Sequence, residues 1–318
     1  MRPSSPDRRP THREQGKQAR SHGHNPTHRT RRLTLTLCEW QSKLRPVFNG
    51  EMKVAGRRLP FGEATYVMGV INVSPESKNP HTIATTPHEA LALARSYRRW
   101  GCDLIDLGAQ SSHYDNPTLD SDTEAGRLVP VVEALAEDGF LVSVDTWKPE
   151  VAAAALAVGA GIVNDTGGLG DAGMLEVLEG YPEAGVVAVH VDGPHPHAVQ
   201  DVALGDDKAE RTADGFADLL VRLEPGMRER VILDPGIAIN YRGDYAAYTR
   251  LQMEIIRRLR VFHRLRRPLL VPIPRKRDIH WVTAYITLAL EYGADMIRVH
   301  DVAIAADLVR LWDRRATP

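Results

Sequence analysis

Asn72, Asp145, Asn164 with Asp165, His190, Asp234, and Arg298 with His300 each close a short apolar run, and Lys276 follows another. Any one of them has an ordinary explanation, because Asp and Asn after a strand commonly cap a turn or the next helix. Together, on one rim, they exceed what turn chemistry accounts for. Asp145, Asn164 and Asp234 would supply acceptors and an amide suited to the edge of a flat, nitrogen-rich ring, which presents adjacent N–H donors and carbonyl acceptors. Arg298, His300 and Lys276 would add cations for an anionic group or an electron-rich ring. His195 and His197 also cluster, but prolines flank His195 and no third ligand is near, so that stretch reads as a loop and not as a metal site.

The elements that must position these residues follow a regular alternation. Apolar, β-branched runs at 66–73, 104–107, 141–145, 162–165, 186–191, 231–234, 269–273 and 296–300 suit fully buried parallel strands. Helical patterns separate them. Thr86-Pro87-His88-Glu89 and Ser121-Asp122-Thr123-Glu124 read as capping boxes, and Gly101, Gly139, Gly159 and Gly293 as left-handed helix ends. Eight such units within about 250 residues predict an α/β fold, a (β/α)8 TIM barrel, whose chemistry belongs at the carboxyl ends of the strands. Ahead of it, LTLTLCEW and MKVAGRRL alternate as the two strands of an N-terminal β-hairpin, placing hairpin and barrel in 33–318, with the hairpin in 33–60.

Residues 1–32 are a different material, with eight Arg, one Lys and two acids in a chain whose net charge is −1. A polar, Pro-, His- and Arg-rich segment cannot offset its ordering entropy by burial, so a disordered basic tail is expected. The remainder is not basic enough to make nucleic acid a partner. No apolar run is long enough for a membrane span and no secretory h-region is present, so a non-membrane, cytoplasmic protein is expected. Cys38 and Cys102 stand far apart with no metal-ligand spacing, which agrees with a reducing compartment. There is no GxxxxGK[ST], HExxH or GxSxG to carry P-loop, zincin or serine-hydrolase chemistry.

Five stretches in order, VMGVINVSPES at 67–77, SVDTWKPEVAAAAL at 143–156, IVNDTGG at 162–168, ILDPG at 232–236 and IRVHDV at 297–302, make the chain resemble the dihydropteroate synthase family over roughly 66–312. The resemblance implies a transferase of folate biosynthesis that joins a 7,8-dihydropterin-6-ylmethyl diphosphate to p-aminobenzoate or a related aromatic amine, releasing diphosphate. It implies Asp145, Asn164 and Asp234 at the pterin edge, and Lys276 and Arg298 packed around the ring. Asn72 and His300, with Arg298, would hold the diphosphate and its Mg2+, Asn72 as the metal contact. It also implies a homodimer through the last helices, to which Leu308, Leu311 and Trp312 could contribute.

The chain departs from the family pattern in its loops. The first runs Pro75-Glu76-Ser77-Lys78-Asn79-Pro80-His81, without the usual aromatic and glycines. The second, Gln110-Ser111-Ser112-His113-Tyr114, keeps Ser112 as a substrate contact and puts His113 where the family usually has Arg. An imidazole ordinarily titrates at roughly 6.5, so this exchange gives up a permanent charge. Ala238-Ile239-Asn240-Tyr241 loses an aromatic wall, and Pro274-Arg275-Lys276-Arg277 replaces a Ser-Arg-Lys-Ser pattern. These changes spare the pterin side, and they leave two alternatives to the synthase: a diverged paralogue with another reaction, for instance in secondary metabolism, and a non-catalytic pterin-binding protein, including a methyltetrahydrofolate-binding barrel serving a partner.

Overall fold

The computed structural model describes residues 48–110, 116–198, 207–239, 244–274 and 278–312. The basic tail, the LTLTLCEW run, Ser112, His113 and Lys276 lie outside these. Eight parallel strands form one sheet: β3 (Tyr66–Asn72), β4 (Leu104–Gly108), β5 (Val142–Asp145), β6 (Ile162–Asp165), β7 (Gly185–Val189), β8 (Val231–Asp234), β9 (Leu270–Pro272) and β10 (Met296–Val299). Their order, β8-β7-β6-β5-β4-β3-β10-β9, leaves one seam between β8 and β9. A parallel bridge between Leu233 and Leu269 spans it, and Leu233 N donates to Pro268 O at 2.9 Å. The sheet therefore curls into a barrel, which strand counting alone could not establish.

The hairpin differs from the sequence expectation. MKVAGRRL folds back on itself, with β1 (Glu51–Val54) and β2 (Arg57–Pro60) pairing antiparallel around Ala55 and Gly56. Both turn residues have positive φ, 47° and 73°, as a two-residue turn matching the strand twist requires. Met52, Val54, Leu59 and Phe61 join a buried cluster with Tyr66, Leu104, Ile162, Ile232, Leu270 and Met296, residues near the amino ends of the barrel strands. The hairpin is thus a plug for the end opposite the predicted site.

Period-two alternation sorts every strand into two layers. Val67, Ile71, Ile105, Leu107, Val142, Val144, Val163, Val186, Leu233 and Ile297 pack outward with the helices, while Tyr66, Met68, Leu104, Ile162, Val187, Val189, Ile232 and Met296 fill the lumen. The same phase that points Leu104 inward points Asp106 inward. It also carries Asp145, Asn164, Asp234 and Arg298 into the lumen, and carries Asp165 and His190 out of it.

Helix ends follow the local signals with one shift. In α1 (Pro87–Trp100), Thr86 accepts from Glu89 N and the Glu89 carboxylate returns to the Thr86 backbone. Replacing Thr86 with Ala is expected to lower the unfolding free energy by about 1 kcal/mol in urea titration. For α2 (Ser121–Glu137) the cap is Asp120 and not Ser121, with Asp120 Oδ1 accepting from Thr123 N at 2.7 Å. Glu124 cannot serve a box there because its carboxylate is buried against the Lys148 ammonium at 2.5 Å. Gly101, Gly139, Gly159 and Gly293 adopt the left-handed conformation at φ 105°, 77°, 103° and 90°.

Candidate active site

The upper lumen is built around a residue that the sequence pattern alone does not single out. Asp106, in the middle of β4, is fully buried. Its Oδ2 accepts from Arg298 Nε at 2.6 Å and its Oδ1 from Ser143 Oγ at 2.6 Å. Arg298 Nη2 donates to Asp145 Oδ2 at 2.7 Å, so one guanidinium joins two carboxylates through charge-assisted bonds. Asn164 Nδ2 lies 3.4 Å from Asp106 Oδ2, which aims the amide at the same cluster. Strand register explains the assembly: Asp106 pairs with Ser143 and Asp145 with Asn164 across neighbouring strands, while Arg298 reaches over the lumen from β10. The signal available in the sequence was a carboxylate two positions after Leu104 within an otherwise apolar strand.

Asp234 sits in the same layer, buried, with Oδ1 accepting from Gly236 N at 2.7 Å. Gly236 turns the chain at φ 75°, and a Cβ there would come within 2.0 Å of His190 O, so only glycine fits. The turn is clamped from outside: the Tyr248 hydroxyl lies within hydrogen-bonding reach of the carbonyls of both Ile237 and Ile239, and Gln252 Nε2 donates to Ile237 O at 2.6 Å. Ile239 is buried and joins the lumen cluster, so the position read as a lost aromatic wall keeps an apolar surface.

Burial sets the electrostatics. It pushes the Asp145 carboxyl up to about 7, with Arg298 opposing and Asp106 assisting. It does the same to Asp234, also about 7, against the Gly236 N–H and Arg298. Burial works against the Arg298 charge too, but Asp106 and Asp145 outweigh it and hold the guanidinium above its ordinary range. Buried Asp106 and Asp234 and half-buried Asp145 face one guanidinium above a lumen cluster that includes Met68 and Val189, a setting that favours a ring bringing its own N–H donors and polarised C=N bonds.

Two of the predicted rim residues are elsewhere. Asp165 accepts from Gly167 N and Leu169 N, both at 2.7 Å, and so caps its own turn. His190 points into the outer layer, with Nε2 3.0 Å from Lys208 Nζ and its ring edge-on to Phe216. Both belong to the outward phase of their strands.

Residues 68–300 match the family described as pterin binding enzyme. The chain is 31% identical over 265 residues to the dihydropteroate synthase of Escherichia coli K12, covering 77% of this chain and 90% of that one. This chain belongs to the dihydropteroate synthase family. It is also 35% identical over 273 residues to a probable bifunctional folylpolyglutamate synthase/dihydropteroate synthase of Halobacterium salinarum, covering 80% of this chain and 32% of that protein, of whose length it therefore spans about a third. Among solved structures, Burkholderia cenocepacia dihydropteroate synthase complexed with 7,8-dihydropteroate superposes with a TM-score of 0.68 at 27% identity, covering 83% of this chain and 95% of that one.

In this dihydropteroate synthase relative the divergent first loop docks on the strand tips. Asn72 Nδ2 donates to Thr82 Oγ1 at 2.6 Å, and Asn79 Nδ2 lies 3.2 Å from His300 Nε2. Arg127 from α2 bridges Glu76 Oε1 at 3.1 Å and Ala109 O at 3.2 Å. Asn72 and His300, predicted as partners on the diphosphate side, thus stand at adjacent tips linked through Asn79 and Thr82. No helix among the described residues is long and apolar enough to cross a membrane.

Proposed function

We propose that this family member joins a 7,8-dihydropterin-6-ylmethyl diphosphate to p-aminobenzoate with release of diphosphate. The observation that carries this reading is the lumen layer of buried Asp106, Asn164 and Asp234 with half-buried Asp145 and Arg298, a set matched to a pteridine edge. Ionised Asp234 accepts from the ring's amino and amide N–H groups, Asn164 pairs with the remaining edge, and Asp145 completes it. Arg298 and Lys276 pack around the ring, and Arg298 and His300 face the departing anion. The C–O bond to diphosphate breaks, the amine nitrogen bonds to the freed methylene carbon, and the amine gives up a proton. An aniline nitrogen is already nucleophilic, so the site works by positioning and by stabilising separated charge, with no strong base required.

The residues present fit Mg2+ that arrives with the substrate. Asn72 spends its N–H on Thr82 and keeps Oδ1 as a hard oxygen ligand, while no group of three or more His, Cys, Asp or Glu able to form a cage occurs among the described residues. When bound there with diphosphate oxygens and water, Mg2+ would neutralise the leaving group. Ser112 and His113 are assigned to the same side. We further place the protein in the cytoplasm, with a small-molecule partner set and no nucleic acid. A homodimer through the last helix, Val302–Trp312, would rely on Leu311, which is 81% exposed, since Leu308 and Trp312 pack against the chain's own core.

Incubating the pure protein with the pterin diphosphate, p-aminobenzoate and Mg2+ should yield dihydropteroate and diphosphate in equal amounts. Pterin binding without either product would instead identify a non-catalytic binder.

A further inference from the structure

Described residues of the three loops that follow β4, β5 and β7 are tied into a closed circuit whose hub is the Trp147-Lys148 dipeptide. The Lys148 ammonium is only 12% exposed and has three acceptors, Glu124 Oε2 at 2.5 Å, Leu119 O at 2.6 Å and Gln110 Oε1 at 2.9 Å. A lysine has three N–H donors, so each is matched. Gln110 and Leu119 are the two feet of the loop after β4, and Gln110 Oε1 also takes Leu119 N at 2.9 Å. One buried cation therefore holds both feet together and fastens them to α2 through Glu124.

Trp147 makes the second connection. Its indole lies flat on the His195 ring, 5.3 Å between centroids and 5° between planes, and His197 tilts against it at 5.2 Å. Both histidines stand on the loop after β7, where Pro196 is buried. His197 Nδ1 is 2.9 Å from Thr118 Oγ1, which returns the circuit to the loop after β4. At the base, the Asp192 carboxylate takes the buried Lys208 ammonium at 2.6 Å. The loop after β6 passes beneath, since a Cβ at Gly167 would meet Trp147 Cβ at 3.3 Å and Pro194 O at 3.6 Å. Burial, with His197 and Lys148 nearby, keeps His195 below its usual range, so the imidazole meets the indole uncharged at neutral pH.

Resting on the proposed synthase reading, we infer that Trp147 and Lys148 are positioning residues that lock residues 110, 116–119 and 191–198 into one unit at the barrel mouth and thereby set the amine subsite. Arg298, Asp145 and Asn164 are held inside the lumen by bonds to one another and to Asp106, and Asp234 by the Gly236 N–H, and Trp147 makes none of these bonds. On that reading the second substrate meets the pterin at the carboxyl ends of the strands, where barrel loops build the site. Removing the hub accordingly acts on the amine and spares the pterin.

Trp147→Ala is expected to raise KM for p-aminobenzoate by roughly tenfold or more while calorimetry with the pterin diphosphate alone gives Kd within about twofold of the parent, since loss of alignment and loss of binding are separable. Trp147→Phe, which retains a ring to stack, should restore KM to within about threefold. Hydrogen exchange in Trp147→Ala should accelerate at 191–198 and 116–119 and remain unchanged in β5 and β6. An amine KM that does not move, or a pterin Kd that weakens in step with it, overturns the assignment. A parent protein that binds no pterin defeats the synthase reading by itself; the exchange measurement then decides the coupling alone, and unchanged protection at 191–198 overturns it.

Discussion

Arg298→Met is expected to lower the unfolding free energy by roughly 3–5 kcal/mol at pH 8, because it leaves buried Asp106 and half-buried Asp145 without their shared cation. Methionine fills similar space, so the cost is electrostatic and not a cavity. The sign with pH is determined by Asp145, whose folded carboxyl titrates at about 7 even with Arg298 beside it. Without the guanidinium its folded pKa rises further above the unfolded value, the folded state holds the proton over a wider range, and the penalty grows as pH rises through 7. Urea titrations at pH 5 and pH 8 should therefore show a smaller loss at pH 5. Equal losses at both would mean that Asp145 is not the group left stranded. Adding Asp106→Asn should return part of the loss at pH 8, as coupled members of one network do.

Asp234→Asn should weaken pterin binding by roughly 10²-fold at pH 8 and make the protein more stable there. The two effects share one cause. A carboxylate accepting from two ring N–H groups contributes about 1.5–3 kcal/mol per bond, and a carboxamide presents an N–H where an acceptor is needed. Burial holds Asp234 at about 7, so its ligand competes with a proton below that point. Parent affinity should rise by up to tenfold per pH unit for this group as pH climbs towards 7, then level off, and the Asn variant should lose that component. For stability the order is reversed: the folded pKa lies above the unfolded one, so the contribution of Asp234 is greatest below about pH 4 and is lost as pH rises to 7. The variant buries no charge and escapes that loss, while its amide oxygen can still accept from Gly236 N. Calorimetry and urea titration from pH 5.5 to 8.5 read both halves; an Asn variant that binds pterin as the parent does removes Asp234 from the edge contacts.

Local chemistry made much of the architecture legible in advance. Strand positions depend on short apolar runs, and all eight appear within two residues of expectation because short, β-branched runs buried on both faces fit a parallel sheet. Thr86 with Glu89, and the glycines at 101, 139, 159 and 293, act on neighbours within four residues, so their effect is readable without the fold. Asp145, Asn164, Asp234 and Arg298 were identifiable for a similar reason, being polar side chains closing apolar strands.

Tertiary structure decided what depends on phase, register and distant partners. Whether a tip residue serves the lumen is a matter of odd or even position from the strand start: Asn164 faces in, while Asp165 beside it and His190 face out, although all three end apolar runs. Asp106 gains its role only because β10 pairs with β3 and so brings a guanidinium 192 residues away to 2.6 Å from it. The burial of Glu124 against Lys148, which leaves the α2 cap to Asp120, and the stack of Trp147 on His195 likewise depend on partners distant in the chain. Sequence determines which groups can be buried together; the stagger of the closed barrel determines which of them meet, because a period-two strand offers each side chain two faces and only packing chooses between them.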